Sequence, residues 1–227
     1  MSTLHLVART RATYHHGDLR NALLRAGAEL AERRGPESVT IRAVAKRAGV
    51  TPTAAYRHFA GHEELLCAVK EQAFATLAQA MSHYLDLLPP VDDPVLDAVQ
   101  RLHASGRGYV RFAVTEPGLF RTAFFPATKL AGSKEFERPD NPFAILGAIL
   151  DRLVEVGYLS PESRPMAELV AWSAAHGVAM LTIEGPLGSL PEAERDQVVD
   201  RALAALANGL GDGPAAPQMR KPAGAGR

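Results

Sequence analysis

The chain has 227 residues, 47% of them hydrophobic and 22% charged, with a formal net charge of zero. That gives room for one small and one larger globular domain around a sizeable core. No apolar run approaches the roughly 18 residues of a membrane helix, and the N-terminal MSTLHLVARTR lacks the apolar stretch of a signal peptide. A cytoplasmic protein without membrane contact is therefore expected, and the single cysteine, Cys67, fits a reducing compartment and excludes an intrachain disulfide.

Charge is unevenly spread. Residues 1–62 carry ten Lys or Arg against four Asp or Glu, a balance of +6, so the rest of a chain that sums to zero carries −6. A basic head on an acidic body is the pattern of a nucleic-acid-binding module attached to a domain that does not bind nucleic acid. Residues 1–13 read as a flexible basic arm. Arg9 and Arg11 are placed to reach phosphates or a minor groove, with ordinary terminal disorder as the other reading. His15 and His16 have no third ligand nearby, so they are read as leading into a helix or meeting a phosphate, and no metal site is expected. Asp18 to Arg34 is predicted as a helix with Leu19, Leu23, Ala26 and Leu30 on one face, ended by Gly35-Pro36.

The stretch IRAVAKRAGVTPTAAYRHF follows. Ile41, Val44, Ala45 and Ala48 recur at helical spacing behind Thr40 as N-cap, and Gly49 stops the helix in a left-handed turn. Thr51 caps the next helix and Pro52 occupies its first position, where a missing N–H costs nothing. Two short helices around a tight Gly-containing turn make a helix-turn-helix. Ala55 and Phe59 would face the core, while Thr53, Ala54, Tyr56, Arg57 and His58 would face outward into a major groove. Arg42 and Arg57 are the candidates for guanine edges, because a guanidinium can bond O6 and N7 together. Thr40, Thr51, Tyr56 and His58 are candidates for phosphates, a role compatible with capping at both threonines.

The order Ile41-Arg42-x-Val44-Ala45, Ala48-Gly49-Val50, Tyr56-x-His58-Phe59 and Leu65-Leu66 resembles the tetracycline-repressor (TetR) family of bacterial regulators, over roughly residues 14 to 70. The resemblance implies an all-α protein: a three-helix DNA-binding domain at 14–61, a helical ligand-binding and dimerisation domain at 62–210, and no cofactor. Its partners would be double-stranded operator DNA, an unknown small-molecule effector and a second copy of the chain. The matching family positions commonly touch the DNA backbone. Where family members usually carry a lysine near the start of the next helix, this chain has His62.

Beyond Phe59, a long helix is predicted to about Leu88, with Leu65, Leu66, Val69, Ala73, Leu77, Ala80 and Tyr84 repeating at three and four, stopped by Pro89-Pro90. It would link head to body. Cys67 lies in it and is read as a small hydrophobe. Further helices are expected from Asp93 to Val114, Leu119 to Phe125, Asn141 to Val156, Met166 to Glu184 and Glu192 to Leu210, with an irregular loop from Pro126 to Pro139. The Gly-, Pro- and Ala-rich tail 211–227 is expected to be disordered.

Trp172 to Gly177, WSAAHG, together with Tyr14-His15-His16-Gly17-Asp18, resembles the TetR subgroup with a Trp-x-x-x-His-Gly signature. Trp172 and His176 lie four apart with Leu169, Ala179 and Ile183. They form either a ligand-pocket wall or a core tryptophan beside a satisfied histidine. Tyr109, Phe112, Phe120, Phe124, Phe125 and Phe143 are further candidate lining residues, with core packing as the other reading of each. On the same helix, Val170, Ala174, Gly177, Val178 and Leu181 form a stripe of small and apolar residues, and the last helix offers Val199, Leu203, Leu206 and Leu210. Two such helices per subunit would build a four-helix dimer interface, the usual arrangement in the resembled family; packing of both stripes inside one subunit is the other reading.

The expected function is a ligand-responsive DNA-binding regulator, a repressor released from its operator by a small molecule. An activator remains open. So does an enzyme of the helical body using His176, although no nucleophile–base pair, metal triad or cofactor motif supports it.

Overall fold

The computed structural model describes residues 16–125 and 141–217, with side chains from residue 19 onward. The basic arm, His15, the side chain of His16, the predicted loop from 126 to 139 and the end of the tail lie outside the described residues. The described residues form nine α-helices and no strand. They are α1 (His16–Arg34), α2 (Ile41–Arg47), α3 (Pro52–Tyr56), α4 (His62–Asp86), α5 (Pro94–Thr115), α6 (Pro117–Phe124), α7 (Pro142–Glu155), α8 (Ala167–Ile183) and α9 (Glu192–Leu210).

Local chemistry sets most of the boundaries. Thr40 Oγ1 accepts from Ala43 N at 3.2 Å and Thr51 Oγ1 from Ala54 N at 3.3 Å, so both predicted caps form. Gly49 adopts φ 73°, the left-handed turn that ends α2. Asp93 and Asn141 cap α5 and α7 in the same way, each followed by a proline at the first helical position. The body helices begin and end within about three residues of the expected positions, in line with ordinary fraying of helix ends.

The head packs Leu23 and Ala26 of α1 against Val39, Ile41, Val44, Ala45, Ala55 and Phe59. Burying each large side chain of this kind contributes about 1.5–3 kcal/mol. The same core continues without a break through Leu65, Val69, Ala73 and Leu77 of α4 to Phe112 and Phe120. Head and body therefore share one apolar interior. A second cluster, built on Leu102, Leu150, Leu153, Leu159 and Ala207, closes the far end of the body.

One short helix braces the head against the body beside α4. α6 seats its N-terminus on the last turns of α1: a Cβ at Gly118 would meet the carbonyl oxygens of Ala31 and Glu32, and the Cα of Glu32 at 2.5 Å. Glu32 Oε2 accepts from Leu119 N at 2.9 Å, binding one of the otherwise unpaired N–H groups of α6. At the other end Lys70 of α4, 4% exposed, donates to Phe125 O at 2.6 Å. Burial holds its ammonium below the ordinary lysine pKa.

Four expectations are corrected. Cys67 is exposed, because it points to the solvent side of α4 between buried Leu66 and Ala68. Leu169 is exposed and does not share the face of Trp172. Val199, Leu203 and Leu210 of α9 are buried inside the subunit at 6%, 2% and 8% exposure, so they are not free to meet a second copy; Leu206 is half-buried. The tail is ordered through Pro217: Gly213 N donates to Tyr158 O and Ala215 N to Gly157 O, both at 2.9 Å. Asp212 accepts from Ser160 N, Ser160 Oγ and Ser163 Oγ at 2.6–2.9 Å, and these bonds hold its carboxyl below the usual range.

Gly118→Ala should lower the melting temperature clearly, by about 1–3 kcal/mol of overpacking or more, because backbone rather than a flexible side chain opposes the new methyl. Gly61→Ala, where no atom lies within 4 Å of an added Cβ, is the control; equal melting temperatures for the two variants would show that α6 can lift off α1 at no cost.

Candidate DNA-binding face and effector cavity

The outward face of the helix-turn-helix is cationic and aromatic. Thr40, Arg42, Thr51, Thr53, Tyr56 and Arg57 are exposed, and Ala54 and His58 are half-buried. α3 is one and a half turns long and ends at Tyr56, so Arg57 is its C-cap and sits at the far end of the helix from Thr53. Arg47, on the neighbouring surface, is held by Glu29, with Nε donating to Oε2 at 2.6 Å. Arg20 lies over the ring of Phe59 at 5.1 Å, which ties α1 to the residue that closes the motif. The sequence therefore exposes its caps and cations on one face and spends its apolar residues beneath it.

In the body, α4, α5, α7, α8 and α9 surround a cavity of ≈ 40 Å³. Phe74, Leu77 and Met81 come from α4, and Leu102, Ser105, Gly106 and Tyr109 from α5. Phe124 of α6 and Pro142, Phe143 and Leu146 of α7 complete one side; Ala171, Trp172, Ala175, Leu203 and Leu206 complete the other. Among the described residues no charged side chain lines it. Gly106 lets α9 approach, since a Cβ there would meet Leu203 Cδ2 at 2.6 Å.

Of the residues predicted for the pocket, Trp172, Tyr109, Phe124 and Phe143 line the cavity. His176, Phe112 and Phe120 are not in its lining, and Phe125 offers its carbonyl to Lys70. His176 still acts on the wall through hydrogen bonds. Trp172 Nε1 donates to Tyr109 Oη at 2.9 Å, and Tyr109 Oη lies 2.8 Å from His176 Nδ1. The tyrosine hydroxyl is assigned as the donor to Nδ1, because the opposite assignment leaves its hydrogen without an acceptor among the described residues. The imidazole then carries its proton on Nε2. The Phe120 ring stacks on it at 5.3 Å and the Phe124 ring meets it edge-on at 4.9 Å. Burial pushes the Tyr109 phenol up and the His176 imidazolium down from its ordinary 6.5.

Sequence reasoning missed Phe74, Ser105, Lys70 and Glu32. Phe74 and Ser105 sit at helical spacing beside residues that were singled out. Lys70 interrupts an apolar face between Val69 and Ala73, a signal that a buried cation has a partner. Nothing local marks Glu32.

A histidine whose folded pKa is depressed binds its proton more readily in the unfolded chain. The stability this burial contributes is complete above pH 6.5 and is lost as pH falls from there towards the lower folded value. The melting temperature of His176→Phe should therefore fall less steeply than wild type between about pH 7 and 5. Equal slopes would show that the imidazole does not titrate in this range.

The sequence matches two family models: bacterial regulatory proteins of the TetR family over residues 23–69, and the tetracyclin repressor-like C-terminal domain over residues 102–206. Among curated proteins none matches. Among solved structures, a protein of unknown function from Rhodococcus sp. RHA1 is 27% identical, with a TM-score of 0.72, covering 89% of this chain and 100% of its own. A TetR family transcription regulator from Marinobacter aquaeolei VT8 is 18% identical, with a TM-score of 0.65, covering 86% of this chain and 96% of its own. The fatty acid degradation regulator FadR from Bacillus halodurans is 16% identical, also with a TM-score of 0.65, covering 84% of this chain and 95% of its own. Head and body each match the corresponding TetR model, and these structures share the fold over 84–89% of the chain; the chain belongs to the TetR family of transcription regulators.

Proposed function

We propose that this chain is a homodimeric repressor whose hold on operator DNA is released when a small molecule enters the cavity beside Trp172. The observation that carries the proposal is the placement of α6. Its Phe124 lines the cavity and its Leu119 N–H is bonded to Glu32 of α1 in the head. At ≈ 40 Å³ the cavity is well under the ~150 Å³ that takes a benzene ring. A guest therefore displaces Phe124 or Phe143, and displacement of Phe124 pulls on the helix that seats the head. The WSAAHG run supports membership of the Trp-x-x-x-His-Gly subgroup.

On DNA, Arg42 and Arg57 are assigned to base edges or phosphates; Thr40, Thr51, Tyr56 and His58 to phosphates; and Thr53 and Ala54 to the groove-facing start of α3. Selection of random duplexes on the purified protein gives the operator, and a promoter–reporter pair then separates repression from activation. Arg57→Ala should cost about 1–3 kcal/mol and relax specificity at one base position. A uniform loss across all duplexes, with the salt slope reduced by about one, would move Arg57 to a phosphate.

For the dimer, Val170, Gly177 and Leu181 are exposed on α8, with Ala174 and Val178 half-buried beside them. The α9 stripe that accompanies them is shifted by one residue from the expected one. Val198 and Ala202 are half-buried, and Ala205 and Gly209 are exposed. By helical spacing these four share one flank of α9. No atom lies within 4 Å of an added Cβ at Gly177 or Gly209, so their lack of a side chain answers no need within one subunit. Two copies packed there would hold two heads about 34–36 Å apart, one turn of DNA. Gly177→Leu should leave helical content and melting of the subunit core near wild type while shifting sedimentation to monomer and weakening operator binding strongly. A mutant that sediments as a stable dimer with normal operator affinity would remove α8 from the interface.

A further inference from the structure

The cavity has polar atoms, and the state of their hydrogens selects its guest. Ser105 Oγ donates to Leu102 O at 2.8 Å and Trp172 Nε1 donates to Tyr109 Oη at 2.9 Å, while Tyr109 Oη lies 2.8 Å from His176 Nδ1 and, in the tautomer assigned above, donates to it. At the start of α7, Phe143 N donates to Asn141 Oδ1 at 2.7 Å. Each polar side-chain hydrogen on the described lining is thus committed. What remains is acceptor capacity: the lone pairs of Ser105 Oγ and one on Tyr109 Oη. A guest that brings an acceptor finds no donor and leaves its own oxygen desolvated and unpaired. An anion finds no cation among the described lining residues, and Lys70, the buried cation nearby in sequence, is held by Phe125 O. A cation finds no carboxylate there, and the rings already meet one another edge-on, as Phe143 does Trp172 at 4.9 Å. A guest that brings a hydrogen is satisfied at once.

We infer that the effector is a small, neutral, ring-sized molecule carrying its own hydroxyl hydrogen, of the chemical class of a phenol or an aromatic alcohol. This rests on the reading of the cavity as the effector site. The full-length protein is titrated with four probes of one shape, followed by Trp172 emission and calorimetry: 4-methylphenol, 4-methylanisole, 4-methylbenzoate and 4-methylbenzylammonium. The phenol should bind about ten-fold more tightly than the anisole, the scale of one hydrogen bond, and the two ions should not bind. Ser105→Ala should narrow the gap between phenol and anisole. Tyr109→Phe frees the Trp172 Nε1 hydrogen for the guest and should turn the preference towards the anisole. The inference is overturned, with the cavity still the effector site, if wild type takes the anisole, the carboxylate or the ammonium as tightly as the phenol. If none of the four alters Trp172 emission or gives heat, the effector-site reading fails together with it.

Discussion

The seating of α6 on α1 is the contact on which the coupling of head and body rests most directly, beside the apolar core that α4 carries from one into the other. An eight-residue helix is too short to persist in water by its own hydrogen bonds. It exists here because its ends are bound by other helices, Glu32 at the Leu119 N–H and Lys70 at the Phe125 carbonyl. Gly118 permits the approach by having no side chain. Both capping groups come from helices that belong wholly or partly to the head. A displacement of α6 would therefore be felt at both α1 and α4.

The inner face of α6 explains the cavity. Phe120 is fully buried behind the Tyr109–His176 pair, whereas Phe124 reaches past it to Trp172 and Phe74, at ring separations of 5.7 and 5.5 Å. The aromatic cluster thus has one side tied by the Trp172–Tyr109–His176 hydrogen bonds and another side carried on α6. Burial keeps His176 neutral, which preserves its Nδ1 lone pair as the acceptor on which that order of donors depends.

Much of this was legible in the sequence wherever the signal was local. Thr40, Gly49, Thr51 and Pro52 announce their own backbone geometry, and Asp93-Pro94 and Asn141-Pro142 do the same for the body helices. The Trp172–His176 spacing placed both on one side of α8. What was not legible depended on partners distant in sequence. Glu32 looks like any solvated glutamate of an amphipathic helix until residue 119 arrives at it. Cys67 sits between two buried neighbours, and the helices packed around α4 decide that it turns outward. The composition of the tail argued for disorder, yet Asp212 meets two serines some fifty residues earlier, and that pairing orders the chain through Pro217.

The error over α9 has a physical reason that bears on assembly. The helix carries two apolar stripes one residue apart, Val199-Leu203-Leu206-Leu210 and Val198-Ala202-Ala205-Gly209, and spacing alone does not say which turns inward. Area decides it. The leucine stripe removes far more apolar surface from water, at roughly 25 cal/mol for each Å², so the subunit core takes it. That leaves the smaller residues outside, as α8 leaves its own glycine and alanine. A face of small residues gains little by facing water or its own subunit, but it allows two helices to approach closely, near the 8 Å end of the usual interaxial range. The same competition that fills the core of one subunit therefore leaves on its surface the small-residue face proposed above for a second copy.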